Sequence, residues 1–153
     1  MPPSFLLTRD TLPSGADLAP LALRLFAGTF LIYMSQDNVL SGERMSEFVG
    51  FLRQFGFPAP EVLAPLSVYA QFAAGIALLG GVMTRVAAAV MIVNFVVALT
   101  MVHPSLPFRE ALDPAAMLAC SVALLLLGGG RWSVDRVILG ARQAERPIAA
   151  ASP

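Results

Sequence analysis

The chain has 153 residues, 57% of them hydrophobic and only 13% charged, and its ten basic residues, all arginine, balance ten acidic ones. Its mean hydropathy is +0.74. A water-soluble domain carries about 25% charged residues, so this chain lacks the polar surface needed to cover itself in water. Zero net charge gives no ground for binding nucleic acid, and a single cysteine, Cys120, excludes an internal disulfide and a cysteine-built metal site.

Residues 1–17 are rich in Pro, Ser, Thr and Gly and read as a flexible tail. The apolar run at Phe5, Leu6 and Leu7 is too short for a signal peptide. Asp17 is a candidate N-cap for a first helix, with Pro20 acceptable in its first turn. The stretch 18–38 is apolar up to Met34 except for Arg24 and has the ~20 residues a membrane span requires. Over 41–60, Met45, Phe48, Val49, Leu52 and Phe55 recur at helical spacing while Glu43, Arg44, Glu47 and Arg53 take the other side. That pattern predicts an amphipathic helix lying on the membrane surface, ended by the prolines of FGFPAP.

A second span is expected at 61–81, where Ala73, Ala77 and Gly81 form a ridge of small residues suited to close helix approach in lipid. Thr84 is positioned to cap a third span, 84–103, which Pro104 and Pro107 stop. The fourth runs over about 113–129 and ends at Gly128, Gly129 and Gly130. Ser133 then caps a short helix whose Val134, Val137, Ile138 and Ala141 share a face, with Trp132 as an interfacial anchor. Residues 143–153 read as a disordered tail. The expected fold is all-α: an integral membrane four-helix bundle over 18–142, with amphipathic surface helices after spans 1 and 4.

An even number of spans puts both termini on one side. That side holds Arg9, Arg85, Arg131, Arg136, Arg142 and Arg146, against Arg44, Arg53 and Arg109 on the other, so the positive-inside rule predicts cytoplasmic termini.

In order and spacing, LRLFAGTFL in the first span, FGFPAP before the second, GIALLGGVMTR across the second turn and GGGRWSVD after the fourth resemble the DoxX family of small four-helix membrane proteins. The resemblance covers roughly 21–139. It implies a bacterial cytoplasmic (inner) membrane location and an association with redox chemistry, often beside a quinone-linked or thiol-linked oxidoreductase. Family members commonly carry a His-Gly and then a Lys-Leu pair where this chain has Tyr33 to Asn38. Gln71 stands where a glutamate is usual, and the carboxylate usual at the start of the fourth span corresponds to Glu110 or Asp113.

Ionisable residues inside a span are costly and are functional hypotheses by default. Arg24 has two readings: a partner for a quinone oxygen, a lipid phosphate or a carboxylate, or a side chain that snorkels to the headgroups. Tyr69 is a further candidate for ligand binding within the membrane. Gln71 and Asn94 fall near mid-membrane on adjacent antiparallel spans, so they either bond one another to fix register or offer donors to a quinone carbonyl. Tyr33, Asp37, Asn38, His103, Arg109, Glu110 and Asp113 are expected at the opposite mouth, where His103 could shuttle protons. One histidine is too few for bis-histidine haem, and no metal site or Walker phosphate loop is expected. No covalently bound cofactor is expected, so electron transfer would have to run through a bound quinone or a partner's cofactor.

Three functions compete. One is a membrane subunit that docks an oxidoreductase partner and offers a quinone or lipid a cavity. Another is a non-enzymatic scaffold or assembly factor that binds a partner's transmembrane helix. The third is a small-molecule carrier, for which a homo-oligomer would have to supply the symmetry.

Overall fold

A computed structural model describes residues 15–102, 104 and 106–138. Helix α1 spans Gly15–Leu40 and α2 Gly42–Gln54, followed by α3, Pro60–Gly80, and α4, Thr84–Val97. A π-helical turn, Ala98–Val102, extends α4, and α5, Leu112–Leu127, is entered through a 3-10 turn at Phe108–Ala111. Four helices among the described residues are long and apolar enough to cross a membrane: Leu18–Leu40, Pro60–Gly80, Thr84–Val102 and Phe108–Leu127. The chain is a multi-pass membrane protein, and its regular structure among the described residues is entirely helical.

The four spans form a ring in which α1 lies against α3, α3 against α4, α4 against α5 and α5 against α1. The side where α1 begins, α3 ends, α4 begins and α5 ends is called the proximal end below, and the other the distal end. Ala27, Leu31, Ala74, Leu78, Ala88, Met91, Met117 and Leu124 build the interior. Phe26, Ile76, Val93 and Leu126 point outward, as suits a surface solvated by hydrocarbon.

In lipid the apolar effect does not pull helices together, so their contact rests on packing. The tightest approach is between α1 and α3. A Cβ on Gly28 would stand 2.9 Å from the Gly75 carbonyl oxygen, and one on Gly75 would stand 2.9 Å from that of Gly28. The close contact therefore runs along Gly28 and Ile32 of α1 and Gly75 and Leu79 of α3. Ala73, one residue of the expected small ridge, is exposed, while Ala77 and Gly81 of that ridge do face protein. Two buried hydroxyls satisfy themselves within their helices: Ser35 donates to the Leu31 carbonyl and Ser121 to that of Met117.

Helix α2 has the expected two-sided pattern. Leu52 is buried and Met45, Phe48, Val49 and Phe55 are half-buried, whereas Glu43, Arg44, Glu47 and Arg53 are exposed. Ser41 caps it by accepting from the Arg44 N–H, and an Arg53–Glu61 ion pair joins its end to the start of α3.

Boundaries differ from expectation at two places. Helix α1 already runs from Gly15, so Asp17 lies within its first turn and residues 15–17 are not tail. The fourth helical segment begins at Phe108 rather than near Asp113, because Pro107 precedes a 3-10 turn that leads directly into α5. After Ser133, residues 134–138 are helical. The remainder of the proposed last surface helix, like residues 1–14 and the tail 143–153, lies outside the described residues.

Candidate functional site

Arg24 is 1% exposed, so its guanidinium does not snorkel into headgroups. Nε donates to the Leu78 carbonyl at 2.9 Å and Nη2 to that of Leu79 at 3.3 Å, both in the last turn of α3. Nη1 donates to Gly129 at 2.5 Å and Trp132 at 3.3 Å in the segment after α5. A positive charge at a helix C-terminus satisfies carbonyls that have no intrahelical partner and favours the negative end of the macrodipole. The flat fork of arginine suits this divided task, since one group binds two chain segments at once.

The turn that receives Arg24 is a Schellman end. The Val82 N–H reaches the Ala77 carbonyl at 2.9 Å and the Gly81 N–H that of Leu78 at 3.2 Å, with Gly81 left-handed at φ +66°. A Cβ on Gly81 would meet Arg24 Cζ and Nη2 and Ser133 Cβ, each at 2.7 Å. The guanidinium thus lies directly on the bare Cα of the turn.

The same segment holds the start of α4. Asp135 Oδ1 accepts from the Met83 N–H at 2.7 Å and Oδ2 from the Thr84 N–H at 2.9 Å, while its own N–H donates to the Gly81 carbonyl at 3.0 Å. A carboxylate there neutralises the positive end of α4 and holds Met83 in its left-handed conformation, φ +48°. Ser133 closes the loop by accepting from Arg136 N–H and donating to the Gly130 carbonyl. Arg24 and Asp135 thereby clasp the proximal ends of α1, α3 and α4 to the GGGRWSVD segment.

Thr84 does not make the expected cap. Asp135, 51 positions away, performs that role, and Thr84 Oγ1 is buried without a hydrogen-bond partner among the described residues. An unsatisfied buried hydroxyl costs roughly 1–3 kcal/mol. Thr84→Val is accordingly expected to raise thermal stability by about 1 kcal/mol, measured as unfolding in mild detergent; a lower stability would show that the hydroxyl does bond.

At mid-membrane, Ser67 links the two amides. Its hydroxyl donates to Asn94 Oδ1 at 2.7 Å, and Gln71 Nε2 donates to Ser67 Oγ at 3.0 Å. All three side chains are half-buried at the α3–α4 seam. The chain Gln71–Ser67–Asn94 uses one Gln71 donor and one Asn94 acceptor, leaving the Asn94 amino group and the Gln71 carbonyl oxygen without a protein partner among the described residues. Ser67 was not singled out by the sequence, although its position one turn before Gln71 was the available signal. Tyr69, on the same helix, turns outward and is 54% exposed.

The distal residues stay apart. Tyr33 is 67% exposed, and Asp37, Arg109, Glu110 and Asp113 are exposed as well, with Asn38 half-buried. Their side chains make no hydrogen bond or ion pair with one another among the described residues. His103 lies outside the described residues. Among the described residues no group of His, Cys, Asp and Glu is arranged to hold a metal.

The DoxX family model matches residues 19–104, more than half of the chain. That match covers the first three spans, with Arg24, Ser67, Gln71 and Asn94, and ends before α5 and Asp135. No curated protein and no solved structure shows a significant match.

Proposed function

The chain belongs to the DoxX family, and from that premise we propose that it is the membrane subunit of a redox assembly, holding the head of a quinone at the α3–α4 seam. The observation that carries this reading is the half-buried Gln71–Ser67–Asn94 chain with an amino group unspent. A quinone carbonyl requires a donor within an otherwise apolar slot, and the free Asn94 N–H groups at mid-membrane meet that need. Val93 and Ile76, exposed on the same two helices, supply apolar surface for an isoprenoid tail.

The role is binding rather than acid–base chemistry. Arg24 is the one charged side chain fully buried among the described residues, and its donors are engaged by backbone carbonyls. Electrons therefore come from a partner oxidoreductase, docked at the membrane surface, with quinone as the mobile carrier. The arginine bias favours a cytoplasmic proximal end, and the family resemblance supports a bacterial inner membrane as the setting.

The test is photo-crosslinking with a quinone analogue in reconstituted protein. Labelling is expected on α3 and α4 and is expected to fall at least tenfold in Asn94→Leu, which removes the donor and keeps the volume. Equal labelling of wild type and variant would refute the site. In that event a scaffold for a partner's transmembrane helix becomes the favoured reading, since the same spare amides bond polar groups on a neighbouring helix.

A further inference from the structure

A groove of about 1150 Å³ opens at the proximal end, between the start of α4 and the segment after α5. Arg85, Arg131 and Arg136 all line it. Their side chains are exposed and make no ion pair or hydrogen bond among the described residues. Asp135 is the acidic residue in the same lining, but both its oxygens are occupied by the Met83 and Thr84 N–H groups. The groove therefore carries three uncommitted guanidinium groups against one committed carboxylate. A topological bias accounts for arginines at this end, but not for their convergence on one concavity.

We infer that this groove binds the phosphate headgroup of an anionic phospholipid. Guanidinium groups take phosphate oxygens in a bidentate fork, and basic pockets at the ends of transmembrane helices select anionic lipids. The backbone leaves room for that fork: a Cβ on Gly128 would stand 3.4 Å from Arg85 Nε, so the Arg85 side chain lies across a bare glycine. The wall beside it is apolar. Val86 and Leu127 line the groove and are more than half exposed, and they continue onto the hydrocarbon-facing surface of α4 and α5. A free phosphate would use the arginines alone, whereas a phospholipid uses both features, which is why the lipid is the favoured source. The site is independent of the mid-membrane seam.

The test is native mass spectrometry of the full chain released from nanodiscs containing phosphatidylglycerol and phosphatidylcholine with identical acyl chains. Wild type is expected to retain phosphatidylglycerol selectively. Each neutralised arginine is expected to weaken retention about fivefold, so Arg131→Gln with Arg136→Gln loses about 25-fold. Circular dichroism and elution volume check that the fold is kept, since both side chains are exposed. Arg131→Lys with Arg136→Lys is expected to restore part of the selectivity and supplies the comparison if the glutamine variant is unstable. Equal retention of the two lipids by wild type, or unchanged selectivity in the glutamine variant, would overturn the inference. Displacement of phosphatidylglycerol by inorganic phosphate at matched concentration would assign the groove to a soluble anion and overturn the lipid assignment.

Discussion

Arg24→Leu is expected to destabilise the bundle by about 3–5 kcal/mol, the largest effect of any single substitution in the chain. Hydrogen bonds to a charged group contribute roughly 1.5–3 kcal/mol each, and Arg24 makes four of them to Leu78, Leu79, Gly129 and Trp132. They share one side chain, so their contributions do not simply add. Removing the guanidinium leaves the end of α3 without its cation and the segment after α5 held to the bundle through the hydrogen bonds of Asp135. Because membrane proteins commonly unfold irreversibly, the measurement is the half-life of monodisperse protein in mild detergent at fixed temperature. Arg24→Lys is expected to be intermediate: the charge remains, but an ammonium group has no planar fork with which to hold two segments. A half-life for Arg24→Leu equal to that of wild type would mean that the clasp holds nothing.

Gly81→Ala is expected to cost about 2–4 kcal/mol from two separable causes. A left-handed conformation costs a non-glycine residue roughly 1–2 kcal/mol, and φ here is +66°. The new methyl would also stand 2.7 Å from both the Arg24 guanidinium and Ser133 Cβ, forcing the cation off the turn. The second cause predicts strong coupling between the sites. In the background of Arg24→Leu, Gly81→Ala should cost the backbone part and the Ser133 contact but not the displaced guanidinium, so the double variant is less unstable than the two single losses together. Additive losses would show that the methyl and the guanidinium do not compete for the same space.

These two predictions concern residues whose importance was only half visible in the sequence. The spans were legible because apolar blocks of membrane length have few alternative explanations, and α2 because its charges and apolar residues separate at helical period. Arg24 was visible as a charge in an apolar run. Its partners were not, because backbone carbonyls carry no sequence signature and depend on how α3 and the segment after α5 meet.

Thr84 shows a different limit. A local capping rule favours a hydroxyl at a helix start, but Asp135 arrives from 51 positions away with two oxygens and a full charge, leaving the hydroxyl idle. Asp135 lay in view within GGGRWSVD, yet nothing local joined that motif to the α3–α4 turn. The common depth of Gln71 and Asn94 followed from antiparallel spans of similar length. The intervening Ser67 did not, since one serine in an apolar helix looks unremarkable until its neighbour across the seam is known. Topology brings the described distal residues to one end, but Tyr33, Asp37, Arg109, Glu110 and Asp113 are exposed there and make no hydrogen bond or ion pair with one another among the described residues.

The same division of labour underlies the functional proposal. The buried charge serves architecture, whereas the seam retains unspent hydrogen-bonding capacity at mid-membrane. The most direct measurement is native mass spectrometry of the protein extracted gently from its own membrane, alongside Asn94→Leu prepared identically. A bound mass matching a quinone in wild type, absent from the variant while the fold persists, is the result expected. A wild-type protein carrying ordinary phospholipid and no quinone would contradict the proposal.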